Sequence, residues 1–300
     1  ACAGPVNISE STTVASCYVA LKHVFTDVPA NAGVLGPIKF IIPDGSLLKV
    51  KAPKPVGGYT ETILRVIDVM FSVMAQAAPE RTNAHAYGTI NALSLAGHRQ
   101  DGRRWVMFSF FGGGHGGNPK GDGLNHGNAP ISTATIPPVE ILEAAYPVMF
   151  TKWALRQDSG GAGKHRGGLG AQYELELLEK NADVFLFGER GKYCPQGVFD
   201  GGEALPTVFT YEQDDGKHHP QMVSKMVNMK LKQGQKILLE TPGGGGYGRV
   251  EERKLDSIQR DLDLGYISPA AAEKTYRVAV DANGKVDPGK TRTLRQETAQ

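Results

Sequence analysis

Cysteine is scarce in this 300-residue chain, and the three present, Cys2, Cys17 and Cys194, form no C-x-x-C pair. An odd number at such spacings excludes a disulfide framework and the common zinc-knuckle patterns, and makes a reduced, cytoplasmic setting the expectation. Long apolar runs are also missing. None approaches the roughly 18 consecutive residues of a membrane helix, and no secretory signal pattern is visible. Neither sign of charge prevails. Lys and Arg number 33 against 31 Asp and Glu, a formal charge of +2, too little for the basic footprint that nucleic acid or an anionic membrane surface demands. The remaining composition, 40% hydrophobic and 21% charged, is that of a globular chain with ample material for a core.

Glycine is in excess: 38 residues, about 13% where ~7% is usual. It gathers in three stretches, "FFGGGHGGNPKGDGLNHG" (110–127), "DSGGAGKHRGGLG" (158–170) and "TPGGGGYG" (241–248). Glycine is entropically costly to order, so a cluster implies repeated positive φ or close approach to a bare backbone. Two arrangements would satisfy this. The loops pack backbone tightly at a surface between chain halves or subunits, around a substrate chamber, or they are tight turns at the ends of a β region.

The expected architecture is α+β, with mixed helices and sheet in 1–150, a β-rich part of the same domain in 151–249, and a short helical tail in 250–300. Ser/Thr capping candidates open a helix over 9–25 with Val14, Cys17, Tyr18, Leu21 and Phe25 as its stripe. "IKFIIP" (38–43) and "LLKV" read as short strands. A clear helix runs over 60–80, capped by Thr60 and striped by Ile63, Val66, Ile67, Met70, Val73 and Met74. "RRWVMFSFF" (103–111) alternates like a strand, and "PVEILEAAYP" (138–147) is a short helix between prolines. Five short runs from 151 onward, split by turn residues, read as antiparallel strands. A charged helix is expected over 250–268, then a second in "PAAAEKTY", then a polar, frayed end.

No nucleotide cradle is present. Gly163-Lys164 is followed by His165, not Ser or Thr, and the loop precedes a strand instead of a helix, so the Walker pattern fails. What remains is a basic tip, Lys164-His165-Arg166, read as a solvated turn or as a contact for an anion or partner. His115, Asp122, Asn125 and His126 are metal-ligand types on one loop, but their spacing matches no motif with known mechanics. Ser159 lacks a nucleophile elbow, and Cys194 before a proline reads as packing. Glu189 and Arg190 are neighbours past a strand, so they face opposite sides and do not pair. His218-His219 sits at a hairpin tip.

"RQDSGGAGKHRGGLG", "GERGKYCPQGVFDGG" and "TPGGGGYG", in that order, resemble the hydantoinase B/oxoprolinase family, as do "GPVN", "RVIDVMFSVMAQAAPERTNA" and "GGGHGG…DG…PVEILEAAYPV". The resemblance covers about residues 1–270 and matches the C-terminal half of B-type chains. It implies a hetero-oligomer. An A-type subunit would bind ATP and Mg and phosphorylate an amide or enol oxygen, and the B-type part would complete the chemistry. It also implies a missing N-terminal half, which would hold most of any divalent metal site, so no metal ligand is carried onto this chain. The first expectation is an ATP-dependent cyclic amidase acting on a hydantoin-, lactam- or oxoproline-like ring. Asp122, His126, Asn128, Asp158, Ser159 and Arg166 would contribute, with Glu189 and Arg190 behind them. The alternatives are a subunit of an ATP-dependent ketone carboxylase of the acetone or acetophenone type, and a non-catalytic assembly scaffold.

Overall fold

The computed structural model describes residues 1–132 and 136–296. Helix α1 (Glu10–Val24) starts at Ser9, whose side chain accepts from the Thr12 amide, as the Ser/Thr cluster predicts. Its buried face is Thr13, Ser16, Ala20 and Val24, a quarter-turn away from the expected large-residue stripe. Small side chains let α1 lie along α2 (Tyr59–Ala77), where Ala20 and Val24 meet Ile63, Ile67 and Phe71. Thr60 lies inside α2, which begins at Gly58 without a side-chain cap, and the buried set includes two acids, Glu61 and Asp68. Val73 faces out. The strands expected in 38–43 and "LLKV" do not form. Pro37, Pro43, Pro53 and Pro55 remove amides that a ladder needs, and the segment is tied by single bonds such as Ile8 N to Leu47 O at 3.0 Å.

Nine strands are described: β1 (Ala92–His98), β2 (Arg104–Phe110), β3 (Val148–Leu155), β4 (Ala171–Leu177), β5 (Asn181–Phe187), β6 (Val208–Gln213), β7 (Gly216–His218), β8 (Lys225–Lys232) and β9 (Lys236–Glu240). The short helix α3 (Val139–Ala145) precedes β3. All pairings are antiparallel, in two sheets ordered β2-β1-β5-β8 and β3-β4-β9-β6-β7. Leu93, Leu95, Met107, Val184 and Leu186 of the first share one buried cluster with Tyr173, Leu175, Phe209 and Leu239 of the second. The result is a sandwich whose first sheet draws strands from both sides of residue 150.

Past the last glycines, the expected helix over 250–268 is interrupted. Arg253 is extended (φ −67°, ψ 128°), and α4 (Leu255–Asp263) starts only after it. Helix α5 (Pro269–Lys274) is as expected and α6 (Pro288–Gln296) was not anticipated. The polar end expected to fray, 295–300, begins inside α6, which Arg295 and Gln296 close, and 297–300 lie outside the described residues.

The glycine stretches interleave at one end of the sandwich. Gly114 N donates to Pro242 O at 3.0 Å, Gly117 N to Gly245 O at 2.8 Å, Gly161 N to Gly244 O at 2.8 Å and Gly244 N to Gly168 O at 2.9 Å. A fourth segment joins through Gly246 N to Gly202 O at 2.9 Å. Close approach requires most of the bare residues, while Gly248, at φ 73°, serves a turn. A Cβ on Gly244 would overlap the His115 carbonyl, and one on Gly114 would overlap that of Gly168. The obstacle is main chain, which cannot swing aside. Gly244→Ala is therefore expected to lose at least about 3 kcal/mol in urea unfolding, the upper end of overpacking costs. Gly121→Ala, in the first glycine stretch but with nothing within 4 Å of its Cβ, should stay within about 0.5 kcal/mol. Equal losses at the two positions would contradict the packing account.

Candidate functional site

Asp122 stands between two clefts that open beside this lattice, of about 310 and 390 Å³. Its carboxylate accepts from Arg253 Nη1 and Nη2 at 2.7 and 2.8 Å and from the Arg166 amide at 2.7 Å. Arg253 also donates to Asp261 at 2.7 Å, and Arg166 Nε lies 3.3 Å from the same oxygen. Arg166 stacks over Tyr266 at 5.2 Å. The expected basic tip is thus only half correct. Lys164 is exposed and pairs with Glu252, while Arg166 turns into the protein, where its guanidinium meets the buried Asp261. Burial opposes ionisation of Asp122, but the Arg253 bonds hold its carboxyl below the ordinary range. With 34% of the side chain open, the paired form persists above the usual Asp range and is lost as pH falls through the lowered value.

The smaller cleft is lined by His115, Asp122, Asn83, Asn118 and His23. His115 Nε2 lies 2.5 Å from the Asn128 carbonyl, so it carries the proton and donates. Burial pushes the imidazole pKa down. The ring is then neutral near pH 7, with the Nδ1 lone pair unspent among the described residues. Sequence reasoning named His115 only as a metal-ligand type, and the family resemblance counted against it as a catalytic residue; its placement comes from a backbone carbonyl thirteen positions away.

The other predicted residues lie apart from this point. His126, at φ 50°, accepts at Nε2 from the Trp153 indole at 3.3 Å, with the Tyr173 hydroxyl on the same nitrogen. Asn128 caps its neighbour Ala129 through Oδ1 at 2.7 Å. Asp158 accepts from Ser268 N at 2.7 Å, anchoring α5. Ser159 is wholly buried, donating to Arg156 O at 2.6 Å and accepting from Gly170 N at 2.9 Å. Burial pushes the Cys194 thiol up, away from reactivity. His218 pairs with Asp215 at the β6–β7 hairpin.

Glu189 and Arg190 do not pair, as their adjacency predicts. Glu189 holds Lys225 at 2.6 Å, and Arg190 meets Asp68, which Arg65 also approaches at 2.9 Å. Behind them, Glu61 accepts from Ile90 N through Oε1 at 2.9 Å, while its buried Oε2 has no partner among the described residues. Desolvation raises its pKa to about 7. Among the described residues no group of three or more His, Cys, Asp or Glu converges as a metal site, so these residues do not fit a complete metal centre. No helix among them is long and apolar enough to cross a membrane.

Two outcomes are expected. Arg253→Met leaves the buried Asp261 with Arg166 alone and takes both guanidinium bonds from the partly open Asp122, and should cost roughly 3 kcal/mol in chemical denaturation, the low end for breaking a buried pair; a loss under about 1 kcal/mol would remove the network from the account. Glu61 is protonated in the fold but ionised when unfolded between its ordinary pKa and about 7, so stability falls with rising pH across that window. Above it, Glu61→Gln should be more stable than the parent by roughly 3 kcal/mol, with the two converging at low pH. Parallel curves would contradict the burial argument.

Residues 1–250 match the Hydantoinase B/oxoprolinase family. An uncharacterized protein of Methanocaldococcus jannaschii is 34% identical over 97% of this chain and 51% of its own length. The caprolactamase subunit beta of Pseudomonas jessenii is 28% identical over 97% of this chain and 52% of its own. The chain thus spans about half the length of these relatives. Among solved structures, the ATP-dependent caprolactamase from Pseudomonas jessenii superposes with a TM-score of 0.86 at 26% identity, covering 97% of this chain and 52% of that one. A nucleotide-free acetone carboxylase shares the fold alone, with a TM-score of 0.80 at 20% identity over 98% of this chain and 45% of its own. With most of its length matched, its motifs in order and its fold shared, the chain belongs to the hydantoinase B/oxoprolinase family.

Proposed function

We propose that this chain is the C-terminal part of the B subunit of an ATP-dependent cyclic amidase. It hydrolyses a hydantoin-, lactam- or oxoproline-like ring whose amide oxygen an A-type partner has phosphorylated with ATP and Mg. The observation that carries the reading is the superposition on an ATP-dependent caprolactamase along 97% of the chain. The chemistry is coherent with it. A ring amide is a poor electrophile, and a phosphorylated oxygen makes its carbon open to water. Water adds to that carbon, and its proton passes to Nδ1 of His115, which returns it to the ring nitrogen as the C–N bond opens. An amine and an acyl phosphate result, and a second water releases carboxylate and phosphate. Asp122, clamped by Arg253 and Arg166, holds the loop that carries His115. His126 and Asn128 support that loop from behind, and Asp158 and Ser159 brace the neighbouring one.

In the assembly containing this chain, ADP release should depend on a cyclic amide and track ring opening. His115→Gln should lower kcat by about 10²–10³ with little change in KM, the scale of lost general-base catalysis. It should also abolish the acid limb of the pH profile, which lies below the ordinary histidine pKa. ADP release that requires a ketone and bicarbonate would replace the amidase with a carboxylase. Unchanged turnover in His115→Gln and Asp122→Ala would leave the chain a scaffold.

A further inference from the structure

The two outer faces of the sandwich differ in chemistry. On β4 the outward residues are Gln172, Glu174 and Glu176, alternating with a buried set, the pattern of a sheet face that meets water. On the four-stranded sheet the corresponding positions are aromatic. The register pairs Phe108 with Ser94 and Ser94 with Phe185, and pairs Phe110 with Ala92 and Ala92 with Phe187. Directly paired residues share a face, so four phenylalanines form two cross-strand rows on the outside. Phe108 and Phe110 are 59% and 44% exposed, with rings 5.1 Å apart, and Val106 continues the strip at 43%. The strip ends in a recess of about 380 Å³ walled by Phe110, Phe187, Tyr59 and Ile131. Strand β2 is also a sheet edge, with only β1 beside it. On the far side, Lys225, which pairs with Glu189, lies 6.0 Å from the Phe187 ring and Lys230 pairs with Asp183, giving the strip a margin of paired charges.

A contiguous aromatic face of this kind marks an interface. We propose that the outer face of the β2-β1-β5-β8 sheet is the seat of the remaining half of the B-type architecture. That half seats an apolar side chain in the recess between Phe110 and Phe187 and places polar residues along the charged margin at Lys225 and Lys230. The occupant follows from length. Relatives matched over 97% of this chain are about twice as long, and that further half must meet this one, whether continuous with it or separate. The inference rests on family membership and half-length coverage, and is independent of the amidase reading.

Lysine-directed cross-linking of the purified assembly tests it. Links from Lys225 and Lys230 should run to the other half of the B-type polypeptide. Replacing Phe108 and Phe110 by Asp should reduce recovery of that half in the co-expressed assembly at least tenfold, the scale of losing central aromatic anchors. The melting temperature of the 300-residue chain alone should hold, because both side chains point outward. Links running to a second copy of this chain or to the ATP-binding subunit would overturn the proposal. So would undiminished recovery with the doubly substituted chain.

Discussion

Main-chain contact between glycine segments is the constraint on which this structure rests. Backbone segments at 114–117, 160–168, 201–202 and 242–247 lie against one another with no side chain between them. Each contact satisfies a buried donor and acceptor at once, which a loop buried in a protein must otherwise achieve with side chains or water. The cost is sequence freedom. A single Cβ at most of these positions meets a carbonyl that is itself bonded into the lattice, so an ordinary loop becomes as demanding as a core.

The site follows from that lattice. His115 and Asp122 belong to one glycine stretch and Arg166 to another, and the carbonyl of His115 accepts from Gly168 at 2.7 Å. Their relative positions are therefore set by backbone, not by flexible side chains. Charges then lock the arrangement from outside. Arg253, released from helix by its extended backbone, reaches back across 131 positions to Asp122 and ties the C-terminal helices to the lattice. Nothing in this bracing performs chemistry, but it fixes a neutral imidazole in the wall of a cleft, the pre-organisation that proton transfer requires.

Much of this was legible from residue order alone. Alternation identified β2, and short apolar runs between turn residues identified β3, β4, β5, β6 and β9, while β1, β7 and β8 were not anticipated. The glycine clusters announced an unusual backbone, although their partner proved to be one another. Other features depended on distance in space. The buried face of α1 was misassigned because close helix contact favours Ser16 and Ala20 over larger neighbours. The strands read in 38–50 failed because prolines outweigh a short apolar run. Arg253 and Asp261 carried no signal, since Arg253 pairs with Asp122 across 131 positions and Asp261 with Arg166 across 95, and such distant pairs leave no local pattern. Arg166 looked like a solvated tip for the same reason.

Hydrogen exchange, followed amide by amide, tests the central claim most directly. If the glycine segments form one bonded lattice, the amides of Gly114, Gly117, Gly161, Gly244 and Gly246 exchange slowly and together, at rates close to those of the central strands β1 and β4. Exchange at the rates of ordinary surface loops, independently from segment to segment, would contradict the account and leave the cleft beside His115 without its frame.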